Sequence, residues 1–157
     1  MKFVRKIAFK DKIIVINLQI IDTKNIQLGL NSGEPFRGSH FLLLDYDEKY
    51  PEEFNDILLF NNLKRGLIVE SSPLHYHALS FSPLLFPRML QIMKDCNCDR
   101  NQYALTEKNG FSTLRFTPKK DFQIKVVQEI ENKEGVNFYS YYHEDLYKNK
   151  LIIYGGI

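Results

Sequence analysis

HFLLLDYD, residues 40–47, is the stretch whose reading decides the fold. Phe41 to Leu44 form a short, nearly continuous apolar run of the kind that fills a buried strand, and Asp45 and Asp47 close it at i, i+2 spacing. On a strand that spacing points both carboxylates to one face. About thirty positions later comes Ser71-Ser72-Pro73-Leu74-His75-Tyr76-His77, where the two histidines repeat the spacing and so share a face of their own. If the two strands are neighbours, carboxylates and imidazoles converge.

Composition sets the outer bounds. The 157 residues suit one domain with a real core, and 44% hydrophobic with 25% charged residues are globular values. A formal charge of +2 is too small to announce a nucleic-acid partner, although a local basic patch is compatible with it. Cys96 and Cys98 have no second pair to complete a four-ligand zinc site, and read as a reduced intracellular thiol pair. There is no apolar run of about eighteen residues, and MKFVRKIAFKDK lacks the apolar centre of a signal peptide. The expectation is a soluble, cytoplasmic chain without a membrane partner.

Working outward, Phe3 to Phe9 and Ile13 to Ile21 read as an opening hairpin turning at Lys10-Asp11-Lys12. Gly29 to Gly38, with three glycines and a proline, reads as a loop entering the aspartate strand, with Arg37 and His40 in or beside it. Pro51-Glu52-Glu53 starts a helix carrying Phe54, Ile57, Leu58 and Leu63, which Lys64 and Arg65 before Gly66 would end. Leu67 to Glu70 is then a strand, Ser71 to Leu74 a turn, and a second helix covers about Pro87 to Lys94. Asn109-Gly110 predicts a type I′ hairpin between NQYALTEK and FSTLRFTPK. From Asp121 onward the alternation suggests a C-terminal antiparallel β-meander, with a helix over Val126 to Asn132 as the competing assignment. The expected class is a single-domain α+β fold, its antiparallel or mixed sheet carrying two or so helices on one face.

Two carboxylates on one strand face are what a pair of Mg²⁺ or Mn²⁺ ions needs: hard oxygen ligands for metals roughly 3.5–4 Å apart. With the second cluster included, the residues resemble the archaeo-eukaryotic primase superfamily, the primase-polymerase fold found also in plasmid and viral replication proteins. LLLDYD is similar to the family's h-D-x-D, with Asp45 and Asp47; Ser71 to His77 looks like its T-S-P-G-x-x-H element, with His77 in the histidine position and Leu74 where glycine is usual. Leu114-Arg115-Phe116-Thr117-Pro118-Lys119 is similar to the family's L-R-x-x-x-K.

The resemblance spans Phe41 to Lys119, about half the chain. It implies a core like an RNA-recognition-motif sheet and metal-dependent nucleotidyl transfer, as in a DNA primase or polymerase. Its partners would be nucleoside triphosphates, a DNA or RNA template or primer, and a helicase or other replication protein. Asp45 and Asp47 would hold the metals, Ser72 and His77 the incoming phosphates, and Arg115 and Lys119 the triphosphate or template. The third acidic ligand would be Asp99 or Asp121.

His75-Tyr76-His77 also resembles the H-hydrophobic-H motif of rolling-circle replication endonucleases, in which two histidines bind a metal. Tyr147-Lys148-Asn149-Lys150 matches their Tyr-x-x-Lys, with Tyr147 as nucleophile toward DNA phosphate. A third reading is a non-catalytic module in which Phe138, Tyr139, Tyr141 and Tyr142 with Lys148 and Lys150 bind single strands by stacking and phosphate contact.

Overall fold

A computed structural model describes residues 2–9, 12–19, 29–33, 38–115, 122, 124–135, 139–145 and 147–148. Their elements, in chain order, are β1 (Lys2–Phe9), β2 (Lys12–Gln19), β3 (Gly29–Asn31), β4 (His40–Asp47), α1 (Phe54–Phe60), β5 (Arg65–Ser72), β6 (His75–Leu84), α2 (Phe86–Asp95), α3 (Arg100–Asn109), β7 (Thr113–Arg115) and β8 (Lys125–Glu131). The class is α+β. Among the described residues no helix is long and apolar enough to cross a membrane.

The central sheet has the order β4-β6-β5-β8, each neighbouring pair antiparallel. β4, α1 and β5 thus make a β-α-β unit split by β6. α3 and β7 follow α2, and β8 then lies on the β5 side of the sheet. β1 pairs with β2, and β3 with β7, as separate two-stranded ribbons.

Both faces of the sheet are covered, which is why β4 reads as an unbroken apolar run: Leu42, Leu43 and Leu44 are all 0% exposed. Leu42, Leu44, Tyr46, Ile68 and Ala78 pack under Phe54 and Leu58 of α1 and Met89, Ile92 and Met93 of α2. On the opposite face Phe41, Leu43, Leu67, Val69, Leu79 and Phe81 meet Leu114 of β7, Ile124, Tyr139 and Tyr147. Gly66 is fixed by the first layer, because a Cβ there would lie 2.5 Å from the Phe54 ring.

Three expectations are corrected. The NQYALTEK stretch is helix α3, not the first arm of a hairpin, and Gly110 (φ 78°) ends it in the left-handed conformation, its N–H bonded to the Thr106 carbonyl. Asn-Gly serves a helix stop as readily as a type I′ turn, because both need a residue that tolerates positive φ. Part of the Gly29–Gly38 loop is strand β3, paired with β7. In place of a continuous C-terminal meander, residues 141–145 are helical, while Lys125–Glu131 is strand and not the competing helix. Arg37, Lys119, Asp121, Phe138, Asn149 and Lys150 lie outside the described residues.

Glu144 anchors that C-terminal segment. It is buried, accepts from the Tyr139 hydroxyl (2.7 Å), and pairs with Arg65 at the start of β5 (3.1 Å) and with Lys148 (2.7 Å).

Candidate functional site

The strand register brings the two clusters together. In the β4–β6 pair Asp45 lies opposite His77 and Asp47 opposite His75, so four side chains occupy one sheet face, the one turned away from α1 and α2. Asp47 Oδ1 is 2.5 Å from His75 Nδ1, and Asp45 Oδ1 is 3.7 Å from His77 Nε2. Exposure grades along the row: the His77 side chain is 7% exposed, Asp45 33% and Asp47 58%. The buried end adjoins the apolar layer of Leu79 and Phe81, and the open end reaches solvent.

Ser72 joins this face through an irregularity in β5. The register shifts between Glu70 and Ser72, so that Glu70 pairs with Tyr76 while Ser72 pairs with His75. The extra residue, Ser71, transfers Ser72 from the helix-covered face to that of the histidines. Ser72 is 4% exposed and its hydroxyl has no hydrogen-bond partner among the described residues. The intervening turn has Pro73 first and Leu74 at φ 65° second, the combination of a type II turn, in which glycine is the usual second residue.

Asp99 lies beside this row without completing it. Its N–H donates to the Asp45 carbonyl (2.8 Å), and its carboxylate caps α3 by accepting from the Asn101 N–H (2.9 Å). Among the described residues no three of His, Cys, Asp and Glu are grouped to hold a metal, and the role the structure shows for Asp99 is that of the α3 cap. Asp45 and Asp99 do line one cavity of about 200 Å³, together with Asn101, Gln102 and Thr113.

Gln102 is the residue that sequence reasoning missed. Buried on α3, it accepts from the Asp45 N–H (2.9 Å) and donates to the Leu43 carbonyl (3.1 Å) and to Ser112 Oγ (3.1 Å). β4 is an edge of the central sheet, and this amide, with the Asp99 N–H on the Asp45 carbonyl, the Ser112 hydroxyl on the Leu43 carbonyl and the Ser32 carbonyl on the Phe41 N–H, does for it what a further strand would do. Asp99-x-x-Gln102 is a helix-start pattern, the signal that would have exposed α3.

The other expected residues are not gathered into the row. Arg115 ends β7, pairing with Gly29 of β3, next to the core residue Leu114. Tyr147 is 3% exposed and packs on Phe81 with ring centroids 6.1 Å apart, and burial raises its phenol above the ordinary value. It is enclosed in the core, not offered to a phosphodiester. Of the aromatic surface, Tyr139 is buried, while Tyr141 and Tyr142 are exposed. Compared with family models, with curated proteins and with solved structures, the chain matches none.

Proposed function

We propose that this chain is a metal-dependent nucleotidyltransferase of the primase-polymerase kind, acting on nucleic acid in replication or repair. The observation that carries the reading is the cross-strand row Asp45–His77 and Asp47–His75 at the solvent-reaching end of the sheet face turned away from α1 and α2, two carboxylates and two imidazoles from strands remote in sequence. Two hard carboxylates at i, i+2, both partly exposed, fit Mg²⁺ or Mn²⁺, since Mg²⁺ is commonly held by one or two carboxylates and completed by water and substrate phosphates. Bound there, such an ion would supply charge neutralisation at the transferring phosphoryl group.

The chain's own residues divide the remaining work. Asp45 and Asp47 set the negative pole, and their pairing to imidazoles keeps both oriented before substrate arrives. His77, held in the buried end, and Ser72, whose hydroxyl lacks a partner among the described residues, offer hydrogen bonds to phosphate oxygens. Arg115 is assigned by the resemblance to the triphosphate or template.

The test is primer extension and short-oligomer synthesis with Mg²⁺ or Mn²⁺. Wild type is expected to be active, and the double variant Asp45→Ala, Asp47→Ala to fall to background while its thermal melt stays cooperative. Undiminished synthesis by a folded double variant would remove the assignment.

A further inference from the structure

On the helix-covered side of the sheet, the two cysteines converge. Cys96 closes α2 and Cys98 precedes α3, and their sulfurs reach the same acceptor, the Met93 carbonyl, at 3.4 and 3.3 Å. Cys98 is buried and Cys96 partly exposed. Both line a cavity of about 440 Å³ that Lys94, Arg100 and Tyr103 also border. Cys96 faces a second opening as well, of about 300 Å³, between α1 and α2. The pair therefore has one sulfur partly exposed and one buried beside it, in a cavity whose charged lining is Lys94, Asp95 and Arg100.

The two thiols are chemically unequal. A hydrogen bond between them holds Cys96 below the ordinary thiol value and pushes Cys98 above it, with burial adding to the rise at Cys98. An accessible thiolate backed by a protonated neighbour is the arrangement of an attacking and a resolving thiol.

We propose that Cys96 and Cys98 form a reversible dithiol–disulfide couple, a modification site oxidised by hydrogen peroxide that enters the cavity beside α2 and α3. The Cys96 thiolate attacks one peroxide oxygen and the O–O bond breaks. The leaving oxygen departs as hydroxide and takes a proton to become water, leaving Cys96 as a sulfenic acid. The Cys98 sulfur then attacks the Cys96 sulfur: the S–S bond forms, the S–O bond breaks, and the oxygen leaves as a second water with the Cys98 proton. Two electrons pass from the thiols to one peroxide, and a small dithiol reverses the step by exchange.

The test uses the full chain, reduced, then treated with hydrogen peroxide, denatured, and alkylated with N-ethylmaleimide before intact-mass measurement. Because the sequence holds two cysteines, the reduced chain takes two adducts. The oxidised chain is expected to take none, to weigh two hydrogens less, and to regain both adducts after dithiothreitol. In Cys98→Ser, dimedone should trap a sulfenic acid at Cys96, and in Cys96→Ser it should trap little. Two adducts surviving oxidation, a disulfide found only between two chains, or equal trapping in the two variants would each overturn the proposal. The wild-type mass decides the matter even if neither variant folds.

Discussion

At the scale of single residues, the turn beside the site stores a small strain. Leu74 holds φ 65° with its side chain largely exposed, so no buried contact compensates the clash that an L side chain meets in the left-handed region. Leu74→Gly should relieve it, and the gain is partly offset by the freer unfolded chain. The expected net effect is stabilisation of about 1 kcal/mol, a rise of roughly 2–4 °C in melting temperature for a domain of this size. Scanning calorimetry of the two proteins checks it, and an unchanged or lower Tm would show that the leucine is held by something else. The residues around this turn were legible in the sequence, since the i, i+2 spacing of the acids and of the histidines fixes which side chains share a face. Ser72 was legible as a residue but not as a position, because the extra residue that turns it toward His75 leaves no mark in the hydrophobic pattern.

At the scale of elements, the C-terminal segment is held by charge in a buried place. Burial disfavours ionisation of Glu144, yet Lys148, Tyr139 and Arg65 outweigh it and hold the carboxyl below the ordinary glutamate value. A carboxyl lowered by folding contributes stability that is complete above its unfolded pKa, about 4.3, and is lost as pH falls through the lower folded value. Glu144→Gln should therefore cost about 3 kcal/mol near neutral pH, the usual scale for breaking a buried ion pair from one side. The deficit should shrink below about pH 4, where the wild-type carboxyl is itself protonated. Urea midpoints of both proteins across pH 3 to 7, a span of roughly four units about that carboxylate value, test the sign. The helical state of residues 141–145 was not legible, because a run dense in aromatics suits a strand by propensity and its fate is decided by what Glu144 binds. α3 was misread for a related reason: Asn-Gly was weighed alone, without the Asp99 signal ten residues upstream.

At the scale of the whole molecule, the layers were readable and their stitching was not. The apolar run of β4, the proline-led helices and the turn at Pro73-Leu74 gave the class and the strand adjacency of β5 and β6, while that of β4 and β6 stood only as a condition. The side-chain amide that helps to close the β4 edge is invisible to periodicity, since Gln102 is a polar residue on a weakly patterned helix and its value lies in partners about sixty residues away. Gln102→Leu keeps the volume but strips the Asp45 N–H of its acceptor, a loss of about 1–3 kcal/mol. Faster hydrogen exchange at the Asp45 amide, with exchange in β5 unchanged, is the expected signature. Equal acceleration throughout the sheet would mean that the amide serves general stability alone.

The pairing of β4 with β6 has a last consequence. Every member of the carboxylate–imidazole row is placed by one and the same alignment of two strands, so an offset by a single residue would set one aspartate level with Tyr76 and leave the carboxylates and the imidazoles on opposite faces of the sheet. Damage to this alignment cannot be graded: the row is inherited whole or forfeited whole, and mutations that loosen it will mimic the loss of several residues at once.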